Sequence, residues 1–271
     1  MSNRIAFIGG GNMAYALANG LLRTDKAPNI IVADPIASQL DRFTNTEIQT
    51  TTDNKYAVSG ADVIVLAVKP QIIRSVALEI APLVTDELVL SIAAGVPLSA
   101  LNAWLGKTVS IVRCMPNTPA LIGAGITGLV RNTSTTRIQA ELAYHILECA
   151  GDVLWFEEDA DLDAVTAISG SGPAYIFYLI EAMIKGAIEL GMTPEIARKL
   201  TINTALGAAT MAINSDDDPE ILRRSVTSPG GTTERAVAIF DREDMQGTII
   251  RAIIEARERS IELSQEVHGD A

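Results

Sequence analysis

Ile5-Ala6-Phe7-Ile8-Gly9-Gly10-Gly11-Asn12-Met13-Ala14-Tyr15-Ala16-Leu17 is the stretch on which the fold turns. Apolar residues run into three glycines, and Met13, Leu17 and Leu21 then recur at helical spacing, which reads as strand, tight turn, helix. In that setting Gly9, Gly11 and Ala14 make the glycine pattern of a dinucleotide-binding turn. Gly9 allows the tight turn, Gly11 lets a pyrophosphate approach the backbone, and Ala14 keeps helix and strand close. The positive end of the helix faces the phosphates. A glycine-rich turn without a ligand has the same residues, but strand, helix and a downstream acid in register favour the dinucleotide. Ile8, Gly9, Gly10, Gly11, Asn12 and Met13 are therefore candidate cofactor contacts.

A second short strand, Ile30 to Ala33, is closed by Asp34 and Pro35, an N-cap and first-turn pair for a following helix. Asp34 stands 20 residues after Ala14, where a carboxylate accepts from the ribose hydroxyls of NAD; capping the helix is the alternative role. Residues 31 to 40 hold no Lys or Arg, so a partner for a 2′-phosphate is not evident and bare chemistry leans toward NADH. Val63 to Val68, Leu88 to Ile92 and Val109 to Val112 are apolar runs of the kind covered on both faces of a sheet. Ile126 to Val130 and Val153 to Phe156 extend it. Strands alternating with helices predict a parallel, doubly wound sheet, whose ligands lie beyond the carboxyl ends of the strands. That position singles out Ala67, Val68, Lys69 and Pro70, and Ala93 to Val96 with Ala94. The loop Cys114 to Pro119, stiffened by two prolines, carries Asn117 toward the nicotinamide end.

After Glu157 the pattern becomes helical. Helices are predicted from Pro173 to about Leu190, after Thr193-Pro194, after Asp218-Pro219, and from about Met245 to Gln265. The chain thus divides into an α/β domain over 1–159 and an all-helical domain over 160–271. Ile176, Leu179, Ile180, Met183, Ala187 and Leu190 give the first of these helices a wide apolar face, suited to a subunit interface or to the core of a monomer. Ser169 to Tyr175, with Ser171, and Ser228 to Thr233, with Gly230, Gly231, Thr232 and Thr233, set small and hydroxyl residues before helices, natural seats for a carboxylate.

With 271 residues, 21 Lys+Arg against 33 Asp+Glu, and 4% aromatic residues, the chain argues against nucleic acid as a partner. Cys114 and Cys149 are too few for a disulfide scaffold and lack the spacing of a zinc site, so no metal is expected and a reducing, cytoplasmic setting fits. His145 and His268 are the two histidines, which points to chemistry that does not rely on imidazole. The uncharged stretch Leu88 to Gly106 is interrupted by Ser91, Gly95, Pro97, Ser99 and Asn102, and glycines break the run after Ile8. Neither reads as a membrane span or an export signal.

Taken together, Ile8 to Ala14, Ala67 to Pro70, Ala93 to Val96, Arg113 to Pro119, Asp163 to Thr166 with Ser169 to Tyr175, and Ser228 to Thr233 resemble the pyrroline-5-carboxylate reductases. The resemblance spans nearly the whole chain and implies an N-terminal Rossmann-like domain with a C-terminal helical dimerisation domain, forming homodimers and often rings of dimers. It implies that Gly9 to Met13, Asn54, Val68, Lys69 and Ala94 contact the dinucleotide, and that Thr232 and Thr233 contact 1-pyrroline-5-carboxylate. NADPH is often preferred in that family and NADH often accepted, while Asp34 stands where some members carry Ser or Thr. A protonated cyclic imine is already an electrophile, so its reduction to L-proline needs positioning more than acid catalysis. By resemblance Thr233 is the catalytic hydrogen-bonding residue at the imine nitrogen. Two readings compete. The 3-hydroxyacid dehydrogenases carry a lysine four residues past the corresponding glycine, where this chain has Ile176. A dinucleotide sensor without turnover would not need both polar segments.

Overall fold

The computed structural model describes residues 4–269. It falls into two compact units, one comprising the chain up to Ser171 together with Glu255 onward, the other Gly172–Ile254. The first holds β1 Arg4–Ile8, α1 Asn12–Leu22, β2 Asn29–Ala33, α2 Ala37–Leu40, β3 Gln49–Thr51, α3 Asn54–Val58 and β4 Val63–Leu66. It continues with α4 Pro70–Ile80, β5 Leu88–Ser91, α5 Leu98–Leu105, β6 Ser110–Met115, β7 Gly125–Arg131, α6 Arg137–Leu147, β8 Gly151–Trp155 and α7 Asp161–Val165.

The eight strands form one sheet ordered β3-β2-β1-β4-β5-β6-β7-β8. β1 lies between β2 and β4, with Phe7 in register with both Val32 and Val65. Alternate side chains feed two cores: Ala6, Ile8, Ile64 and Leu66 pack with Ile73, Ile80 and Leu101 on one face. On the other face Phe7, Val32, Leu90 and Val112 pack with Leu17 and Phe43. Each such aliphatic or aromatic side chain contributes about 1.5–3 kcal/mol on burial, and together they hold the strand ends in place.

Three local expectations change and one strand is added. The sheet is not parallel throughout: β7 runs antiparallel to β6. The return from Met115 to Gly125 contains only a short 3₁₀ turn, Thr118–Ile122, and a parallel crossover needs about a dozen residues. α6 then supplies such a crossover, and β8 is parallel to β7. The helix after β2 begins at Ala37, not at Pro35, and its N-cap is Ile36; one Asp34 oxygen takes the Ile36 N–H and the other reaches across to Gly10. β4 stops at Leu66, two residues short of Val68. β3, an exposed edge of Gln49-Thr50-Thr51, has no apolar signal in the sequence.

α7 and the following π-turn Thr166–Gly170 pack with the sheet: Leu162 joins its core, and a Cβ on Gly128 of β7 would lie 2.9 Å from the Val165 side chain.

In the second unit lie α8 Gly172–Glu189, α9 Pro194–Ile213, α10 Pro219–Ser225, α11 Thr232–Arg242 and the first part of α12 Met245–Gly269. Thr193 caps α9 by accepting from the Ile196 N–H at 3.4 Å. Among the described residues of this unit only Ala197 and Thr201 are buried. α8 buries none of its residues, and Phe177 and Tyr178 are 65% and 76% exposed. A single chain therefore does not use α8 as a core helix. From Asp161 to Glu189 the chain is helical for 29 residues, with a window of mean hydropathy 1.2. By length and composition alone this stretch passes for a membrane span.

Candidate active site

The triple-glycine turn sits where β1 hands over to α1, between the carboxyl ends of β2 and β4. Gly9 has φ +105°, and a Cβ there would lie 2.6 Å from the Ala67 carbonyl oxygen, so only glycine satisfies both backbone and neighbour. The Gly9 N–H donates to the Ala33 carbonyl at 2.7 Å, tying the turn to β2. Gly11 differs: its φ is −70° and a Cβ would meet nothing within 4 Å, which leaves the backbone open to solvent. As N-cap of α1 it has no side chain to offer, and the first turn holds no acid. The leading amides of α1 thus carry no side-chain cap and no acid in their own turn, the arrangement that favours a phosphate anion. Ala14 is fully buried and keeps α1 against the sheet.

Asp34 is spoken for. One carboxylate oxygen accepts from the Gly10 N–H at 2.9 Å and the other from the Ile36 N–H at 2.9 Å. It braces the glycine turn against the end of β2, caps no helix, and retains only its remaining lone pairs for a ribose.

Ala67 and Val68 follow β4, and the Ala67 N–H still donates to the Ile8 carbonyl at 2.8 Å. Lys69, exposed, is the N-cap of α4, and Pro70 starts that helix where a missing N–H costs nothing. Ala94 lies in the turn after β5, next to Gly95, whose φ is +71° and whose Cβ would come 3.2 Å from Leu263 Cβ of α12. Ile8, Gly9 to Met13, Asp34, Ala67 to Pro70 and Ala94 therefore gather at one edge of the sheet. Asn54, the first residue of α3, donates its side-chain amide to Glu79 at 2.9 Å. Asn117 is 9% exposed, donates to the Ser169 carbonyl and accepts from the Ile126 N–H, so its polar atoms brace the β6–β7 return.

The two hydroxyl-rich segments come out differently. Ser169 and Gly170 belong to a π-turn, and the Ser171 N–H donates to the Thr166 carbonyl at 2.8 Å. The stretch is continuous helix, not an open helix end. Gly231, by contrast, is an extended N-cap of α11 without a side-chain cap. The Gly230 N–H is taken by Glu234 at 2.7 Å and the Gly231 N–H by the Ser228 carbonyl at 3.0 Å. No acceptor among the described residues takes the Thr232 and Thr233 amides, and both residues are exposed.

A partly buried ion cluster lies beside these strand ends. Arg113, 3% exposed, donates to Asp159 Oδ1 at 2.8 Å and to the Asp159 carbonyl at 3.1 Å, with Asp163 Oδ1 at 3.9 Å. Asp159 Oδ2 accepts from the Leu98 N–H, and Asp163 accepts from Ser260 at 2.7 Å. The cluster clasps β6, the start of α5 and α12 around the turn that carries Ala94. A lone arginine in a strand gave the only signal, and its partners are 46 or more residues away.

The cysteines are not nucleophiles in waiting: burial pushes both thiols up, Cys149 to about 11 despite the nearby Arg23, and Cys114 further. His145 pairs with Glu148 at 2.7 Å on the exposed face of α6. A cavity of about 740 Å³ lies there, beside Arg131, Tyr144 and Trp155, but none of the residues assigned from the sequence lines it. No group of three or more metal-ligating side chains occurs among the described residues.

Comparison with known proteins agrees with this layout. Residues 159–263 match the family described as pyrroline-5-carboxylate reductase dimerisation, and residues 4–95 the family described as NADP oxidoreductase, coenzyme F420-dependent. The chain is 46% identical to pyrroline-5-carboxylate reductase from Pseudomonas aeruginosa over 97% of its own length and 98% of that protein. It superposes with TM-score 0.91 on a pyrroline-5-carboxylate reductase from Coxiella burnetii, at 42% identity, covering 97% of this chain and 99% of that one. The Plasmodium falciparum pyrroline carboxylate reductase, solved with NADP bound, aligns at TM-score 0.86 and 28% identity over 97% and 98% of the two chains. On these grounds the chain belongs to the pyrroline-5-carboxylate reductase family.

Proposed function

We propose that the protein reduces 1-pyrroline-5-carboxylate to L-proline with a reduced pyridine nucleotide, NADPH in preference to NADH. The observation that carries the cofactor assignment is the open, uncapped start of α1 at Gly11, where a phosphate fits and a Cβ has no neighbour. The donor set fits a dinucleotide: backbone amides of Asn12 and Met13 for the pyrophosphate, with Val68, Lys69 and Ala94 along the neighbouring strand ends. When bound, a reduced nicotinamide would supply the hydride for the imine carbon, which is C2 of the pyrroline ring and C5 of the proline formed, with the nitrogen protonated from solvent as the C=N bond becomes single.

The chain's own residues do the positioning. Asp34 holds the glycine turn in shape through the Gly10 N–H. Arg113 and Asp159 hold the start of α5, and with it the turn at Ala94. The uncapped amides of Thr232 and Thr233 at the positive end of α11 are the seat for the substrate carboxylate, and the Thr233 hydroxyl orients the imine nitrogen. Gly230 and Gly231 shape this helix start without donating to the substrate, because their amides are already engaged. Ser171 has no open amide to offer, because its N–H donates to the Thr166 carbonyl.

The exposed apolar surface of α8 and α9 is read as a subunit interface, which makes the working form a homodimer and, by family likeness, a ring of dimers. The same reading covers the apolar stretch from Asp161 to Glu189 with protein and keeps the enzyme in the cytoplasm, away from lipid. Initial rates of NADPH and NADH oxidation by purified protein test the proposal. Oxidation that depends on pyrroline-5-carboxylate and is faster per micromolar NADPH supports it, and no imine-dependent oxidation of either nucleotide overturns it.

A further inference from the structure

The cation missing from residues 31–40 is present in space. Arg42 lies in the 3₁₀ turn that follows α2, just beyond the window in which a phosphate-binding residue is sought after β2. Its Nη1 donates at 2.9 Å to Oδ1 of Asn12, the first residue of α1 and the immediate neighbour of Gly11. Its guanidinium stands over the Tyr15 ring, 5.4 Å from the centroid. Tyr15 is in turn tilted against the ring of Phe43, centroids 5.6 Å apart, and Phe43 is wholly buried. An aromatic platform rooted in the core thus fixes an arginine at the rim of the glycine turn.

Three further observations give this placement a purpose. The Arg42 side chain is exposed, and no carboxylate among the described residues pairs with it, in a chain whose formal charge is −12. Asp34, the residue whose free carboxylate would select a ribose 2′-hydroxyl, already accepts from the Gly10 and Ile36 amides, one on each oxygen, and keeps only its remaining lone pairs for a ribose. The same loop passes so close that a Cβ on Gly10 would be 3.4 Å from the Gln39 carbonyl oxygen, which places the α2 segment beside the turn. In a doubly wound fold the adenosine ribose lies beyond the end of the second strand, and a nearby arginine accommodates a 2′-phosphate. A planar guanidinium with donors to spare matches that dianion.

We propose that Arg42, braced by Asn12 and Tyr15, recognises the adenosine 2′-phosphate and is the residue that favours NADPH over NADH. The inference rests on the dinucleotide reading of the glycine turn and adds to it the specificity determinant. Its sequence signal is weak because the arginine is reached through the turn after α2 instead of directly from β2.

Calorimetric titration of the purified full-length protein with two fragments, 2′-phospho-ADP-ribose and ADP-ribose, tests the proposal without turnover. Wild type binds the phosphorylated fragment more tightly. Arg42→Gln loses about 10- to 100-fold affinity for it, the range expected of charge-assisted hydrogen bonds, and less than about twofold for ADP-ribose. Arg42→Lys recovers part of the loss, and the salt dependence of 2′-phospho-ADP-ribose binding weakens in Arg42→Gln. Equal losses for both fragments overturn the proposal by putting Arg42 on the pyrophosphate. Unchanged binding of both overturns it while leaving the dinucleotide site intact. Wild type that binds neither fragment removes the dinucleotide reading itself and this inference with it. An unchanged melting temperature in both variants shows that the affinities report on the site.

Discussion

Gly11→Ala separates binding from folding more cleanly than any other change in the protein. The backbone at Gly11, φ −70° and ψ −175°, is one that alanine adopts without strain, and the new methyl meets no protein atom within 4 Å. Restricting the unfolded chain makes the folded state more stable by about 0.4–1 kcal/mol, so the variant melts at or slightly above the wild-type temperature. The methyl nevertheless occupies the approach to the first amides of α1. Losing one or two charge-assisted hydrogen bonds to the pyrophosphate costs about 3 kcal/mol, on the order of 100-fold in Kd. Gly9→Ala is the opposite case. Its φ of +105° penalises any side chain by about 1–2 kcal/mol, and a Cβ 2.6 Å from the Ala67 oxygen adds about 1–3 kcal/mol of overpacking. Urea denaturation and NADPH titration of both variants give the comparison. A Gly11→Ala protein that binds NADPH like wild type, or one that loses as much stability as Gly9→Ala, shows the phosphate seat to be misplaced.

Other consequences follow from the same geometry. Arg113→Met leaves Asp159 and Asp163 without their cation and is expected to cost about 3–5 kcal/mol in urea denaturation, whereas Ser260→Ala costs about 1 kcal/mol. A wild-type midpoint for Arg113→Met contradicts the clasp. Thr233→Ala is expected to lower kcat/KM for the imine by about 10- to 100-fold with the NADPH Kd unchanged, and normal kinetics remove Thr233 from its role. Cys149, raised from its ordinary value of 9.0 to about 11 by burial, is about a hundredfold poorer in thiolate at pH 8 when folded than when unfolded. Folding keeps the thiol protonated, so this contribution to stability is complete below pH 9 and fades as pH rises toward about 11. Iodoacetamide labelling of native and denatured protein at pH 8 measures the difference, and equal rates contradict it.

How much of this was legible in the sequence differs from element to element. β1, α1 and the central strands announce themselves because strands buried on both faces must be apolar throughout and the glycine turn must be glycine. β3 was silent because an exposed edge of Gln49-Thr50-Thr51 needs no apolar run. The reversal at β7 is written in the length of a loop, not in the hydrophobic pattern, and was missed for that reason. At the site, strand ends could be located from the sequence, but hydrogen-bond partners could not. Asp34, Asn54 and Asn117 looked available for a ligand, and the fold engages each of them with a neighbour. Arg42 and the Arg113 cluster lay hidden because tertiary contact alone brings their partners together.

Transfer of the hydride itself gives the most direct test. NADPH carrying deuterium at the reactive face of the nicotinamide C4 is incubated with the enzyme and pyrroline-5-carboxylate, and the proline formed is analysed by mass spectrometry. One deuterium at C5 of every proline is the expected outcome. Proline without the label, or no proline at all, contradicts the assignment of this chain as a pyridine-nucleotide imine reductase.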